Sequence, residues 1–150
     1  MPNTYANLLY HLIFSTKHRE PTIHGDWREE LFRYIGGIIR AEGGVCVEIN
    51  GMPDHVHILA KIKPALAVSD MLRLIKANSS KWVNDDKDVG RSFAWQSGYA
   101  AFSVSESRVE AVRRYIRNQA AHHRKQSFQD ELVEILRRHG VECDPRYLWE

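Results

Sequence analysis

Near the middle of the chain, residues 45–62 read VCVEINGMPDHVHILAKI. Apolar and polar side chains alternate in both halves of this stretch, which is the period of a β-strand with two different faces. Between the halves, residues 50–54 (NGMPD) are typical of a turn. The stretch therefore predicts a β-hairpin over residues 45–62, with His55 and His57 on one face of its second strand.

A strand and a helix are predicted before this hairpin. Residues 5–16 (YANLLYHLIFST) alternate loosely and are rich in aliphatic and aromatic types, as strands are. A helix follows, with Asp26 as its expected N-cap and Gly43-Gly44 as its end. Its apolar positions recur every three to four residues, at Trp27, Leu31, Ile35 and Ile38.

A helix, a strand and two more helices are predicted after the hairpin. The first helix has its apolar positions at Val68, Met71, Leu72, Ile75, Ser79 and Trp82. Residues 84–90 predict a loop and residues 93–104 a fourth strand. The next helix begins near Ser105, has Ser107 and Glu110 at capping-box spacing, and carries the stripe Val109, Val112, Ile116 and Ala120. Ser127 and Asp130 mark the start of a last helix, whose apolar side is Phe128, Leu132, Ile135 and Leu136.

The resulting order, βαββαβ followed by helices, is that of a ferredoxin-like fold. We therefore expect an α+β sandwich with an antiparallel sheet and additional C-terminal helices. The chain has 150 residues, of which 43% are hydrophobic and 27% charged, and this suits one globular domain over residues 1–150.

The composition also excludes several classes of protein. No apolar run approaches the roughly 18–20 residues of a membrane span, and the N-terminus lacks the pattern of a secretory signal. Cys46 and Cys143 are far apart, which favours reduced thiols and a cytoplasmic location.

The charge of the chain is more informative in its distribution than in its sum. Lys and Arg number 21 against 19 Asp and Glu, and a net charge of +2 does not by itself indicate nucleic acid. Basic residues cluster, however, at Arg113, Arg114, Arg117, His122, His123, Arg124 and Lys125. A solvated helix face would explain this cluster equally well.

Two groups of residues have spacings that suit chemistry. His55 and His57 share a strand face, about 6.6–6.8 Å apart along the strand, and could hold one cation. Two polar residues on a solvent-facing strand are the alternative. Tyr115 and Gln119 lie one helical turn apart, with His122 continuing their face. A tyrosine packed beside a core with its hydroxyl in water would explain Tyr115 as well.

Together these groups suggest phosphodiester chemistry. Two imidazoles and an amide oxygen would give His55, His57 and Gln119 as metal ligands, a nitrogen and oxygen set that suits Mg²⁺ or Mn²⁺. Tyr115 could then attack phosphorus and form a phosphotyrosine. Its phenol needs help to ionise at neutral pH, and His122 is the candidate base.

Three segments carry a resemblance to a known family. They are His55-Val56-His57, residues 95–105 (WQSGYAAFSVS), and residues 115–119 (YIRNQ) followed by His122-His123. Over Tyr5 to Gln126 the chain resembles the single-tyrosine HUH transposases of IS200-like insertion sequences, which include the REP-associated tyrosine transposases. Mobilisation relaxases of the same superfamily place the Tyr before the HUH motif and fit less well.

The resemblance implies a role for each matched residue. Tyr115 would be the nucleophile that attacks single-stranded DNA, leaving a 5′-phosphotyrosine and a free 3′-OH. His55, His57 and Gln119 would be the metal ligands. Such proteins recognise DNA hairpins near element ends, use no nucleotide cofactor, and work as homodimers in which the Tyr helix commonly docks on the partner's HUH strand.

The remaining expectations concern DNA contacts and rival functions. The phosphate contacts would be Arg113, Arg117, Arg124 and Lys125. Trp82, Phe93, Trp95 or Tyr99 could stack on bases, although core packing explains most of these rings. The rival functions are a non-catalytic ferredoxin-like nucleic-acid-binding module, a host-adopted nickase of repeat DNA, and a metal phosphoesterase that uses water as its nucleophile.

Overall fold

Four antiparallel strands form the centre of the molecule, and helices cover both faces of the sheet. The computed structural model describes residues 3–87 and 92–144. The strands are β1 (Leu9–Ser15), β2 (Val45–Met52), β3 (His55–Lys61) and β4 (Ala100–Val104). The helices are α1 (Gly25–Ala41), α2 (Val68–Asp86), α3 (Val109–Arg117), α4 (Gln119–His123) and α5 (Phe128–Arg138). The sheet order β2-β3-β1-β4 confirms the predicted ferredoxin-like α+β fold.

One face of the sheet packs against α1 and α2 and contains the larger core. Leu12 and Phe14 of β1, with Val56 and Ile58 of β3, are fully buried there. They meet the apolar stripes of the two helices at Leu31, Ile35, Ile39, Met71, Leu72 and Ile75. This layer holds the two central strands rigidly in register.

The opposite face packs against α3 and α5. Ile13 and Phe102 contact the apolar side of α5, while Leu9 and Leu59 contact Ile116 of α3. Because side chains alternate along β3, His55 and His57 fall on this second face. The histidines therefore lie under helices, and not on the open sheet surface that a solvent-facing pair would occupy.

Several predicted boundaries of the strands and the first helices are corrected. The first and fourth strands are shorter than expected, and Trp95 makes only an isolated bridge to Thr16. The N-cap of α1 is His24, so Asp26 lies within the first turn. The predicted loop over residues 84–90 starts too early, because α2 continues to Asp86. The part of that loop from residue 88 onward lies outside the described residues.

The predicted helix from Ser105 is broken into three pieces. A 3₁₀ turn over Glu106–Arg108 precedes α3, and Asn118 separates α3 from α4 with φ −95° and ψ 24°. The capping box is wrong, because Arg108 is the N-cap of α3 and its N-terminus has no side-chain cap. The break also changes which residues face inward: Gln119 is buried, whereas Ala120, placed in the core stripe by the sequence, is exposed.

The last helix begins as predicted. The Ser127 side chain accepts a hydrogen bond from the Asp130 backbone N–H at 3.2 Å, the expected N-cap contact. Its apolar side is buried as expected. Among the helices of the described residues, none combines the length and the apolar character needed to span a membrane.

Candidate active site

The centre of the candidate site is the imidazole pair on β3. His55 and His57 are fully buried, and both lie opposite β1, at Ser15 and Ile13. The Nε2 atoms of both rings face the helices that cover this side of the sheet, where they meet side chains of α4 and α5. The sequence-predicted pair is thus shielded from water and shares one buried space.

A carboxylate that the sequence did not identify lies between these rings. Glu131, in the first turn of α5, is only 1% exposed. Its Oε1 is 3.0 Å from His57 Nε2, 3.1 Å from His123 Nε2 and 3.5 Å from His55 Nε2. Glu131 is therefore the third polar group of the cluster.

Tyr115 and Gln119 reach the same carboxylate. The Tyr115 hydroxyl donates a hydrogen bond to Glu131 Oε2, and its ring centroid is 5.9 Å from that of His57. Gln119 donates to the same oxygen at 3.2 Å, while its Oε1 accepts from His55 Nε2 at 3.0 Å. The four residues singled out in the sequence thus meet within one chain, around a fifth that was missed.

The sequence does contain a signal for Glu131. It lies three residues after Phe128 and directly before Leu132, so it falls on the apolar side of α5. An acidic residue within an apolar stripe is rarely buried without partners. That pattern indicates a buried carboxylate, but it does not tell which residues contact it.

The pKa values of the two imidazoles are shifted in opposite directions. Burial lowers the pKa of His57 to about 4, so its ring is neutral near pH 7. Burial would also lower the pKa of His55, but hydrogen bonds with Asp54 and Glu131 raise it overall. Both ring nitrogens of His55 face acceptors, the Asp54 carboxylate at 2.7 Å and the Gln119 Oε1, which is the pattern of an imidazolium.

The carboxylate of Glu131 stays ionised in this surrounding. Burial would raise its pKa, but hydrogen bonds from His123, His55 and His57 hold the pKa well below its usual range. The same burial, together with the bond to Glu131, raises the pKa of the Tyr115 phenol above its ordinary value. The phenol is therefore protonated at neutral pH and donates its proton toward a negative group.

These residues fit a divalent cation. One ligand atom each from His55, His57 and Glu131 lies within 4.8 Å of the others, and all three side chains are buried. Imidazole nitrogens with a carboxylate oxygen are ligands of divalent first-row metals, and the oxygen donors also suit Mg²⁺ and Mn²⁺. Gln119 Oε1 is near the His55 nitrogen that such an ion would use. The cluster could hold a metal ion.

His122 does not approach the phenol oxygen as a base would. Its ring stacks on the Tyr115 ring, with centroids 4.5 Å apart and planes 26° apart. Its Nε2 is buried and finds no hydrogen-bond partner in the described part of the chain. The group that accepts the hydrogen bond of the Tyr115 hydroxyl is Glu131.

The four predicted DNA-contacting cations differ in their surroundings. Arg113 and Arg117 both pair with Glu48 of β2, at 3.4 and 2.8 Å. Arg124 and Lys125 are exposed beyond α4. Arg113 and Arg117 therefore have a carboxylate partner already, whereas the other two face solvent.

The candidate base-stacking rings are mostly part of the core. Phe93 and Trp95 are buried, and Trp82 stacks on Tyr34. Tyr99 alone of the four is substantially exposed, at 41%. Packing against other side chains therefore explains Phe93, Trp95 and Trp82, and leaves Tyr99 as the exposed ring.

Comparison with known proteins gives the family context of this site. Residues 4–119 match the sequence profile described as "Transposase IS200 like". The chain is 26% identical over 117 residues to the ISDra2 transposase TnpA of Deinococcus radiodurans, covering 75% of this chain and 84% of that protein. It is 27% identical over 129 residues to a Salmonella typhimurium transposase for insertion sequence element IS200, covering 79% and 81%.

Solved structures give the same picture of the fold. A crystal structure of a Deinococcus radiodurans R1 protein assigned as a transposase superposes with a TM-score of 0.63 at 26% identity, covering 79% of this chain and 95% of that chain. A REP-associated tyrosine transposase bound to a REP hairpin superposes with a TM-score of 0.61 at 13% identity, covering 82% and 73%. At that identity the second likeness supports the fold alone.

Proposed function

The chain belongs to the IS200-like transposase family, and we propose that, as one domain over residues 1–150, it cuts and rejoins single-stranded DNA through a phosphotyrosine on Tyr115. One observation carries this proposal. The Tyr115 hydroxyl and the His57 imidazole both contact the Glu131 carboxylate, so a nucleophile and a metal-type cluster share one buried group. A tyrosine packed beside the core with its hydroxyl in water would not bring that hydroxyl to a buried carboxylate.

The proposed cleavage is a transesterification. The Tyr115 oxygen attacks the phosphorus of a DNA phosphodiester, and the new O–P bond replaces the bond between phosphorus and the 3′-oxygen. The phenol loses its proton to water, and the departing 3′-oxygen takes up a proton to become a 3′-OH. The strand is left with a 5′-phosphotyrosine. Attack by a 3′-OH reverses these steps, which restores the phosphodiester without a nucleotide cofactor.

The residues of the cluster have separate tasks in this proposal. His55, His57, Glu131 and Gln119 would hold a divalent ion, Mg²⁺ or Mn²⁺, which when bound polarises the phosphate and offsets its developing charge. Glu131 also orients the phenol through its hydrogen bond. The core between the sheet and helices α1 and α2 holds β3, and with it both histidines, in place.

The proposed substrate is a hairpin at the end of a DNA element. This part of the proposal is supported by the resemblance and by the fold shared with a transposase that was solved with a REP hairpin. Its proposed phosphate contacts remain Arg113, Arg117, Arg124 and Lys125. The Glu48 carboxylate competes with phosphate for the first two. A homodimer is part of the same proposal.

A denaturing gel tests the proposal directly. The protein is incubated with labelled single-stranded hairpin DNA and Mn²⁺, and we expect a covalent protein–DNA band. Tyr115→Phe should abolish this band, because it removes the hydroxyl that contacts Glu131. Tyr34→Phe, a half-exposed tyrosine of α1, is the matched control and should keep it.

The metal site is tested in the same assay. His55→Ala and His57→Ala should each remove the Mn²⁺-dependent band. Cleavage that persists in Tyr115→Phe without a covalent band would instead support a phosphoesterase that uses water. Hairpin binding by the wild type without any cleavage would support the non-catalytic module.

A further inference from the structure

A cleft opens beside Tyr115, and Tyr115 is one of its lining residues. It lies between α3, α5 and the outer strand β4, and has a volume of about 590 Å³. The Tyr115 ring forms part of its wall, and the buried His11 ring forms another part. Its volume is within the range of small-ligand pockets, roughly 300–1,000 Å³.

The charges of this cleft favour an anion. Arg108 lies at the start of α3 and makes no ion pair within the described residues, while Arg138 lies near the end of α5. Arg138 pairs with Glu134 at 3.0 Å, but both side chains are exposed and such a pair is weak. No acidic residue is among the described residues that line the cleft. The two guanidinium groups therefore flank an opening that leads to the nucleophile.

The rest of the lining suits the other parts of a nucleotide. Ala111 and Val112 of α3 give one apolar wall, and Ser103 and Ser105 at the end of β4 supply hydroxyl groups. Strand β4 is an edge of the sheet, so within the described ranges no further strand pairs with its outer side. An apolar wall with a few polar groups is the usual surrounding of a bound base and sugar.

A second opening near the site is less suited to DNA. It lies beside α4 and α5 and is lined by Lys125 and Arg137, but also by Asp130 and Glu134. The two carboxylates would repel a phosphate backbone. On α3 itself, Arg113 and Arg117 are already paired with Glu48. The cleft beside Tyr115 therefore places two cations next to the nucleophile, with no carboxylate among its described lining residues.

From these observations we propose that the Tyr115 cleft binds the nucleotide next to the scissile phosphate. Arg108 and Arg138 contact phosphate oxygens, and the Ala111 wall packs against the sugar or base. This inference rests on the proposed function, because it takes Tyr115 as the nucleophile. It identifies two phosphate contacts that differ from the four predicted from the basic cluster of the sequence.

Binding of a plain single strand tests the role of the two arginines. The probe is a fluorescein-labelled oligothymidylate, and its affinity for the full chain is measured by fluorescence anisotropy at several salt concentrations. Arg108→Gln and Arg138→Gln should each weaken binding about tenfold at low salt. Each should also reduce the slope of log affinity against log salt by about 0.7, the value for one phosphate of a single strand.

The matched control is Arg33→Gln. Arg33 is an exposed arginine of α1, on the opposite face of the sheet. Its removal costs the same charge and should leave affinity and salt slope close to those of the wild type. Equal effects of all three substitutions would show a general charge effect and would overturn the proposal.

A second pair of variants tests the cleft itself without changing charge. Ala111→Trp fills it and should weaken oligothymidylate binding about tenfold. Ala121→Trp places the same side chain beside the second opening and should leave affinity unchanged. Circular dichroism verifies that both variants are folded. Unchanged affinity in folded Ala111→Trp would overturn the proposal.

Failure of this inference is distinguishable from failure of the proposed function. If the wild type forms the covalent band and the cleft variants bind and react like their controls, the cleft assignment alone is wrong. If the wild type forms no covalent band but the cleft variants lose binding, the cleft is a strand-binding site and the nucleophile assignment is wrong.

Discussion

His11 is a buried residue, and its one polar partner at hydrogen-bond distance within the described residues is His57 of the candidate metal site. Its Nε2 lies 2.8 Å from His57 Nδ1, and its side chain is 6% exposed. A ligating histidine usually donates its second N–H to such a partner, which fixes the ring. His11 is thus a positioning residue for His57.

Replacing His11 tests this role. His11→Phe should weaken Mn²⁺ binding roughly 10–100-fold, the usual loss for such a partner, because His57 loses its acceptor. His11→Gln keeps an acceptor oxygen and should recover most of the affinity. Free Mn²⁺ is measured by electron paramagnetic resonance. His24→Phe, at an exposed histidine before α1, is the control. Equal Mn²⁺ affinity in wild type and His11→Phe would contradict this role.

At the scale of single elements, β2 contains a thiol whose ionisation is suppressed. Burial raises the pKa of Cys46 to about 11, whereas Cys143 is exposed. A raised pKa keeps the thiol protonated, so the reactive thiolate of Cys46 is scarce near pH 8. Its alkylation rate should therefore rise about tenfold for each pH unit up to about pH 11.

Iodoacetamide labelling followed by mass spectrometry measures this rate. In the wild type, Cys143 should react first, because its side chain is exposed. Cys143→Ser isolates the slower reaction of Cys46. A Cys46 rate that levels off well below pH 11 would show that β2 does not bury the thiol.

The elements also show what the sequence could and could not predict. Alternation along β3 placed His55 and His57 on one face, and that prediction is confirmed because a strand's period is a local property. The inward turn of Gln119 depends on the break at Asn118, which has no proline or glycine to mark it. The position of Glu131 beside the histidines depends on how α5 packs on the sheet, which is a tertiary contact that no local pattern encodes.

At the scale of the whole molecule, one chain brings the phenol to its own histidine pair. Tyr115, Gln119 and Glu131 all contact groups of the same chain. This geometry favours cleavage in cis, whereas the family resemblance predicts a homodimer with docking in trans. The two arrangements give different results when inactive variants are mixed.

Mixing Tyr115→Phe with His57→Ala separates the two arrangements. Neither chain has both a phenol and a complete histidine pair of its own, so docking in cis predicts no covalent protein–DNA band. That is the expected outcome. Docking in trans would complete one of the two sites in each mixed dimer, which is about a quarter of the wild-type sites after random mixing of equal amounts. A band on the denaturing gel would therefore establish the arrangement implied by the resemblance.

The buried carboxylate of Glu131 has a further consequence for the living cell. A buried negative charge is stabilised by a positive neighbour, and the hydrogen bonds that raise the pKa of His55 favour its charged form. An incoming divalent ion must use the nitrogen that carries this proton, so loading expels hydrogen ion. If the cluster is the metal site proposed above, acid would therefore oppose loading of the ion, and a mildly alkaline medium would favour it.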